Sequence, residues 1–397
     1  MDTLFLWYVA KPSDPKLIGE LRLVQSSRGV SLCYVDSWVQ TGFSLSEDLP
    51  LQAGHEFLPM EKDSAVGAVD DARPDRWGER VIRLLNKPSR LSLMEYLYFS
   101  GDNRLGALGV SRSSTRYIPC PDNPLPTLKD IHTLQELIEK VLASEPIPEN
   151  QRPLISPSVS MGGAKPKALV SINQEPWILK FAPGDSIDRA LIEHASMTLA
   201  EQAKIRIAET RAIPTHLGHV LAIKRFDRYK EQRLHVLSAH VALRAAGETY
   251  GYPELALLLR RKGEAADIQE LFRRMVFNIL MDNTDDHEKN HALLVRKSGQ
   301  YSLSPAYDVL PSGQALGFQQ MRVGQDGADS TIDNALSEAQ FFGLTRSEAV
   351  SEVKRVVRVV NTWKEHFKNV GVSGRDIEQT AEQVERPFLI EQRKAFV

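Results

Sequence analysis

The sequence predicts an α+β protein with two lobes, a first lobe that mixes strands with helices and a second that is mainly helical. Its 397 residues are 42% hydrophobic and 25% charged, with a net charge of −2. This is ordinary globular composition with room for two domains. In the first part, short apolar runs separated by Gly- and Pro-containing turns predict strands. From Leu234 onward, apolar residues mostly recur near every 3.6 positions, which predicts helices.

Composition also excludes several classes of protein. The near-neutral charge argues against strong, sequence-independent nucleic-acid binding by the whole chain. The two cysteines, Cys33 and Cys120, form neither a disulfide framework nor a metal-ligand cluster, which is typical of a reducing cytoplasm. Residues 1–9 are apolar but lack a basic region and a cleavage site, so they predict a strand rather than a signal peptide. No apolar run is long enough to span a membrane. We therefore expect a cytoplasmic protein.

Three regions follow from the order of the predicted elements. Residues 1–112 form an α/β subdomain, with strands at 4–9, 18–24 and 32–35 and helices beginning near 74 and 93. After a proline-rich linker, residues 125–228 form the rest of the first lobe and begin with an amphipathic helix, 128–142, for which Thr127 is the expected N-cap. Residues 229–397 form the helical lobe, including one helical run over 347–367.

A glycine-containing turn in the second region, Ser160-Met161-Gly162-Gly163, precedes an apolar strand. Without Cβ atoms, Gly162 and Gly163 could let backbone N–H groups approach a phosphate. The spacing of a Walker A loop is absent, and from the residues alone an ordinary hairpin is an equally good interpretation.

Lys180 lies inside the apolar strand predicted over 177–181. An ammonium group buried without a partner is costly, so Lys180 should have one. Glu193, in the first turns of the helix predicted over 190–202, is the candidate. A lysine on a half-exposed strand is the alternative.

The polar stretch at 283–291, Asn-Thr-Asp-Asp-His-Glu-Lys-Asn-His, should be a loop between a helix ending near Asp282 and a strand beginning near Ala292. We call it the polar loop. One interpretation is a zinc hydrolase, because His287, Glu288 and His291 match H-E-x-x-H. That motif requires a helix, but turn-forming residues stand directly before it, and no persuasive third ligand is present.

A second interpretation of the polar loop is phosphoryl transfer. Such sites use an Asp to accept the proton of a hydroxyl, an Asn a few residues later to hold magnesium, and another Asp beyond a hairpin. Asp285, Asn290 and Asp308 have this spacing. A solvated acidic loop is the plain alternative. The second acid beyond a possible strand pair favours the phosphoryl-transfer interpretation.

The same residues resemble the HipA family of bacterial serine/threonine kinase toxins, through Thr-Asp-Asp-His-Glu-Lys-Asn at 284–290 and Leu-Ser-Pro-Ala-Tyr-Asp at 303–308. Residues 74–78 and 104–109 also resemble its amino-terminal region, although we interpret most of these as packing and turn residues. The resemblance implies a two-lobed, protein-kinase-like fold that uses ATP and Mg²⁺. Asp285 would then act on the acceptor hydroxyl, and His287 and Lys289 on the same loop would contact phosphate oxygens or orient Asp285. Asn290 and Asp308 would hold Mg²⁺.

The resemblance also assigns roles in the first lobe. The turn at 160–163 matches the family's phosphate loop, and Ser160 matches its autophosphorylated serine. Lys180 would bind phosphates and pair with Glu193. The segment around Arg225 joins the lobes in the family, so Lys224, Arg225 and Phe226 would lie near the adenine. Lys224 stands where the family commonly has an acid, so we expect backbone contacts rather than a contact from this side chain.

The partners that the resemblance implies are a HipB-like helix-turn-helix antitoxin and a protein substrate such as an aminoacyl-tRNA synthetase, with DNA bound only through the antitoxin. The alternative is a kinase-fold subunit that only co-represses with the antitoxin and has no catalytic activity. The four catalytic positions that a kinase requires are all filled, by Asp285, Asn290, Asp308 and Lys180, which favours an enzyme. Residues 311–333, rich in Gly and polar residues, would occupy the place of a kinase activation segment.

Overall fold

The computed structural model describes residues 1–121, 123–157, 165–314 and 316–397. The strands are β1 (Thr3–Tyr8), β2 (Lys16–Val24), β3 (Gly29–Tyr34), β4 (Glu56–Phe57), β5 (Leu108–Ser111), β6 (Lys167–Ile172), β7 (Glu175–Lys180), β8 (Thr210–Thr215), β9 (Gly218–Lys224), β10 (Arg228–Tyr229), β11 (Gln232–Arg233), β12 (His235–Ser238), β13 (Ala292–Val295) and β14 (Tyr301–Leu303). The helices are α1 (Asp36–Thr41), α2 (Arg76–Leu85), α3 (Leu93–Phe99), α4 (Ile131–Ala143), α5 (Arg189–Gln202), α6 (Ala239–Ala245), α7 (Tyr252–Lys262), α8 (Ala265–Leu280), α9 (Ile332–Ser337), α10 (Arg346–Val360), α11 (Trp363–Val370), α12 (Gly374–Val384) and α13 (Pro387–Lys394).

The chain divides into two compact units, and each is assembled from separate segments. The first unit contains Met1–Pro183, Lys224–Ala246 and Leu293–Gln300. The second unit contains Gly184–Ile223, Gly247–Ala292 and Tyr301–Val397.

An antiparallel sheet of order β4-β3-β2-β1-β5 organises the first unit. Its register places Leu4 opposite Leu21, and Leu21 opposite Leu32. All three side chains are fully buried. Cross-strand pairs of this kind are what stabilise a sheet, because each apolar side chain covers its neighbour on the same face. This face forms part of the apolar core of the unit.

A second feature of the first unit is the β6–β7 hairpin, which carries Lys180. Asn173 and Gln174 form its turn with φ of 52° and 66°. Two successive positive φ values are the signature of a type I′ turn, whose twist suits a two-residue hairpin. The register places Lys167 directly opposite Lys180. Lys167 is fully buried and forms an ion pair with Asp75.

The segment at 74–78 packs against this hairpin. Asp75 caps α2 by accepting a hydrogen bond from the Gly78 amide, and the Trp77 indole donates to the Lys167 carbonyl at 2.8 Å. A Cβ on Gly78 would lie 2.4 Å from the Pro157 carbonyl oxygen, so a larger residue would force the backbone apart. The interpretation of this segment as packing and turn residues is confirmed.

The second unit is mainly helical. Helix α8 packs against α7 and α10, and Leu271, Phe272, Met275 and Phe277 along it are fully buried. A helix that is apolar over most of its surface needs partners on several sides. Its carboxyl end leads directly into the polar loop. No helix in the described part of the chain has both the length and the apolar character needed to cross a membrane.

The predicted strands and helices are mostly confirmed, with three corrections. The single run over 347–367 is two helices, α10 and α11, separated at Asn361 and Thr362. The helical pattern assigned from Leu234 onward is wrong at β12, where four buried residues form a strand. A short apolar run cannot be assigned to strand or helix by periodicity alone. Finally, Thr127 caps a short 3₁₀ turn, Leu128–Asp130, that precedes α4.

Candidate active site

The polar loop is held between α8 and β13, as its composition predicts. Helix α8 ends at Leu280, and Asp282 turns the chain with a φ of 54°. Asp tolerates this left-handed conformation better than most residues. A single 3₁₀ turn, Glu288–Asn290, follows before β13 begins at Ala292. Both predicted boundaries are confirmed.

Hydrogen bonds anchor the first half of the loop. The Asn283 amide donates to the Asn278 carbonyl at 2.9 Å, and its side chain donates to Asn278 Oδ1 at 3.1 Å. Thr284 Oγ1 lies 2.6 Å from Ser312 Oγ. Thr284 and Asp286 are buried, whereas Asp285 between them is exposed. The fixed backbone therefore presents the Asp285 carboxylate to solvent, where an incoming group could reach it.

Asn290 has the features of a metal ligand. Its side-chain N–H donates to the Asp285 carbonyl at 3.4 Å. Its Oδ1 is buried, and no described residue donates a hydrogen bond to it. A buried oxygen without a partner is costly, and a hard cation such as Mg²⁺ would satisfy it, since Mg²⁺ prefers oxygen ligands.

Asp308 lies on a segment that is tied to the loop. Tyr307, immediately before it, donates its hydroxyl to the Lys289 carbonyl at 2.9 Å. Asp308 itself has a φ of 59° and is half-buried. The structure thus connects the segment of Asp308 with the loop that carries Asp285 and Asn290.

The region after Asp308 is ordered around Arg322. Its guanidinium donates to Glu254 at 2.8 Å and to Glu338 at 2.6 Å. The Tyr252 amide also donates to the Arg322 carbonyl at 2.9 Å. Arg322 therefore attaches this part of the predicted activation segment to α7.

The zinc interpretation lacks the helix that it requires. Residues 287–291 form an extended N-cap, a 3₁₀ turn and an extended residue rather than an α-helix. His287 Nδ1 accepts from the Lys289 amide at 3.2 Å, and His291 Nε2 binds Asp286 Oδ2 at 2.8 Å. Within the described ranges, no group of three or more His, Cys, Asp or Glu residues is arranged to hold a metal ion.

A buried polar network lies beneath the loop, and sequence reasoning missed it. Asp286 accepts hydrogen bonds from Tyr252 and His291, and all three residues are at most 2% exposed. Burial raises the pKa of Asp286, but His291 and Tyr252 outweigh this effect and lower it. Burial, followed by the Asp286 charge, raises the pKa of Tyr252 well above its usual value. Asp286 is therefore a carboxylate that accepts from two donors.

A second network supports the segment that leads to Asp308. Arg206 binds Asp267 and Glu270, with the Arg206 Nε to Glu270 distance at 2.6 Å. Glu270 also accepts from Arg274, which donates to the Ser304 carbonyl. Asp267 accepts from the Leu303 amide at 2.9 Å. The acids on α8 thus fix β14 and the chain that leads to Asp308.

The predicted phosphate-binding residues fall in different parts of the structure. Lys180 is 7% exposed in the first unit, and Glu193 is 3% exposed on α5 in the second unit. Both lie in the predicted elements, and their ion pair stays a prediction. The phosphate-loop residues Ser160, Met161, Gly162 and Gly163 lie outside the described residues.

The Arg225 side chain has a structural role that the sequence did not reveal. It donates to both carboxylate oxygens of Asp227, at 2.9 and 2.6 Å, and to the carbonyls of Asn103 and Arg104. Its amide donates to the Pro176 carbonyl at 3.3 Å. The Arg225 N–H and guanidinium therefore already have protein partners. Lys224 forms an ion pair with Glu175 at 2.7 Å, so its side chain also has a partner. The adenine contacts of Lys224, Arg225 and Phe226 stay predictions.

Comparisons with known proteins identify the family of this chain. The family model for the HipA-like C-terminal domain matches residues 159–371, which is more than half of the chain. This chain belongs to the HipA family. A putative kinase of Haemophilus influenzae is 26% identical over 186 residues, covering 40% of this chain and 54% of that protein. The chain thus matches about half the length of this relative.

Two further matches, one to a sequence and one to a solved structure, cover most of the chain. The serine/threonine-protein kinase toxin HipA of Shewanella oneidensis is 22% identical over 395 residues, covering 86% of this chain and 85% of that protein. The solved complex of HipA, HipB and operator DNA from Shewanella oneidensis MR-1 has a chain that matches with a TM-score of 0.69 and 19% identity, covering 98% of this chain and 97% of that one. At this identity the structural match establishes the fold, and it confirms the HipA-like α+β fold.

Proposed function

We propose that this chain is an ATP- and Mg²⁺-dependent serine/threonine protein kinase of HipA type. One observation carries the proposal: the exposed Asp285 and the buried Asn290, whose Oδ1 has no described donor, lie on a loop hydrogen-bonded to the segment of Asp308. Phosphoryl transfer requires a carboxylate for the acceptor hydroxyl and nearby oxygen ligands for a metal ion. The family membership supports the same chemistry.

In the proposed reaction, Asp285 accepts the proton of a serine or threonine hydroxyl. The hydroxyl oxygen forms a bond to the γ-phosphorus of ATP while the bond from that phosphorus to the bridging oxygen breaks, and ADP leaves. The His287 ring accepts a hydrogen bond at Nδ1, so the neutral ring carries its proton on Nε2. That N–H and the exposed Lys289 ammonium are available for phosphate oxygens.

Asn290 and Asp308 would hold Mg²⁺, and both supply the oxygen ligands that it prefers. When bound, the ion neutralises the charge of the phosphates. Lys180, supported by Glu193, is the proposed second cation for the phosphates.

Incubation of the purified protein with labelled ATP, Mg²⁺ and a host lysate tests the proposal. Transfer of label to protein supports a kinase, and the absence of any ATP turnover supports the co-repressor alternative.

We also propose a toxin role, with a HipB-like antitoxin as partner and a translation component such as an aminoacyl-tRNA synthetase as substrate. The supporting facts are the family membership and the relatives named above. The net charge of −2 fits a protein that reaches DNA only through its partner. Growth arrest on expression, relieved by co-expression of a HipB-like antitoxin, is the expected result.

Replacing Asp308 by alanine is expected to weaken Mg²⁺-dependent ATP binding as well as the rate of transfer. The substitution removes a carboxylate ligand, so the metal-held phosphates lose an anchor. Calorimetric titration with ATP, with and without Mg²⁺, measures the effect. Asp333→Ala, at an exposed acid in the first turn of α9, is the matched control. Equal Mg²⁺-ATP affinities for wild type and Asp308→Ala would contradict the assignment.

Phosphorylation of Ser160 is expected to switch the kinase off. A phosphate adds about −1.5 to −2 charges, and beside Gly162 and Gly163 it would repel ATP and compete for the same N–H groups. Mass spectrometry after incubation with Mg²⁺-ATP should find phosphate on Ser160 in the wild type and not in Asp285→Asn. Ser160→Asp should be inactive, and Ser158→Ala serves as the control. An active kinase with unmodified Ser160, or full activity in Ser160→Asp, would count against this mechanism.

A further inference from the structure

The Tyr252, Asp286 and His291 network has no role in the reaction described above. Its three side chains carry a hydroxyl, a carboxylate and an imidazole, yet all are buried directly beneath an exposed candidate base. Asn278 extends the network by donating to Tyr252 Oη at 3.3 Å and accepting from Asn283 at 3.1 Å. His291 Nδ1 has no partner among the described residues. Breaking the hydrogen bonds that the network does make would leave further buried polar groups without partners, which is costly, so the network favours one arrangement.

The hydrogen bond between Asp286 and His291 closes the polar loop on itself. Residues 287–290, including Asn290, lie within the segment that this bond closes, and Asp285 comes immediately before it. Because Asp286 points inward and Asp285 outward, holding the Asp286 carboxylate sets the direction of the Asp285 side chain. The same bond limits the distance between the backbones of Asp285 and Asn290.

Tyr252 ties this closed loop to a second fixed point. It is the first residue of α7. Its hydroxyl donates to Asp286, while its amide donates to the Arg322 carbonyl at 2.9 Å. One residue therefore holds both the loop of Asp285 and the ordered segment after Asp308.

We infer that Tyr252, Asp286 and His291 are positioning residues for phosphoryl transfer, which hold Asp285 in the reactive geometry. This inference rests on the proposed function. In a reaction that depends on positioning, small displacements of a catalytic group cost large factors in rate. The network should therefore affect the turnover rate and leave ATP binding nearly unchanged.

The test uses the full chain, labelled Mg²⁺-ATP and a mixed serine and threonine peptide library. Tyr252→Phe keeps the buried ring and removes only the hydroxyl. It is expected to lower kcat about tenfold and to change the KM for ATP by less than about twofold. Tyr34→Phe is the matched control, because the Tyr34 hydroxyl is also buried, donates to the Leu49 carbonyl at 3.0 Å and belongs to the first unit. This control should retain the wild-type kcat.

Two further comparisons separate positioning from simple loss of stability. In the Asp285→Asn background, Tyr252→Phe should cause no additional loss of kcat, because the effects of substitutions that act through one group are not additive. His291→Gln keeps an N–H donor for Asp286 and should retain more activity than His291→Ala at equal melting temperature. If Tyr252→Phe does not fold, the comparison of His291→Gln with His291→Ala tests the inference instead.

The outcomes are distinguishable. A wild-type protein that transfers no phosphate overturns the proposed function and this inference with it. A wild type that transfers phosphate and loses it in Asp285→Asn, together with normal kcat in Tyr252→Phe, overturns the inference alone. A tenfold loss that persists in the Asp285→Asn background shows that Tyr252 acts elsewhere and also overturns it.

Discussion

Replacing Asp285 by asparagine is expected to lower phosphate transfer by roughly 10²–10⁴-fold, the usual cost of losing a general base. Asparagine has nearly the same shape, so the exposed position and the loop should be kept, while the amide accepts a proton far less readily. ATP binding should be largely unchanged, because the carboxylate acts on the acceptor hydroxyl. Initial rates with labelled ATP and calorimetric titration with Mg²⁺-ATP measure the two effects separately.

Glu288→Gln is the matched control for this experiment. Glu288 is a half-exposed acid on the same loop, and the kinase proposal gives it no role, whereas the zinc interpretation makes it the general base. The expected result is wild-type transfer. Normal turnover in Asp285→Asn together with loss of activity in Glu288→Gln would show that the base has been misplaced.

Replacing Asp227 by asparagine is expected to destabilise the first unit by about 3–5 kcal/mol, the usual cost of breaking a buried ion pair. Asp227 is fully buried and accepts hydrogen bonds from Arg225 and Arg228 and from the Gly106 amide at 2.7 Å. Burial alone would raise its pKa, but the two guanidinium groups outweigh this and hold the pKa at about 2. The substitution leaves the buried Arg225 guanidinium and the half-buried Arg228 guanidinium without their shared anion.

Chemical unfolding, followed by far-ultraviolet circular dichroism, measures this loss of stability. Asp14→Asn is the control, because Asp14 also forms an ion pair, with Lys16 at 2.7 Å, but at an exposed position. Exposed pairs contribute little, about 0–1 kcal/mol. Equal losses of stability in the two variants would mean that Asp227 is not the centre of the network.

The polar loop could be predicted from sequence because its information is local. Asn283, Thr284 and Asp285 favour turns through their own side chains, and the apolar runs on either side mark the neighbouring helix and strand. The exposure of Asp285 between two buried residues was not predicted. It follows from the hydrogen bonds of Asn283 to Asn278 and of Thr284 to Ser312. The sequence does not indicate either pairing.

The supporting networks could not be predicted because their partners are far apart in the chain. Tyr252 and Asp286 are 34 residues apart, and Tyr252 reads in the sequence as an ordinary apolar helix residue. Likewise, the Arg225 side chain meets the Asn103 carbonyl across 122 residues. A charged residue at a strand end gives no sign of such a partner, so the structural role of the Arg225 side chain could not be predicted from the sequence.

The interleaved segments of the first unit have a consequence during synthesis on the ribosome. The carbonyls of Asn103 and Arg104 cannot accept their hydrogen bonds until Arg225 has been synthesised. The Asp71 carboxylate likewise cannot accept hydrogen bonds from the amide and hydroxyl of Ser238 until that residue has been added. At elongation rates of about 5–20 residues per second, these groups remain without their partners for roughly 6–30 seconds. The first unit therefore cannot be completed until residue 300 has been synthesised, although its first segment ends at residue 183.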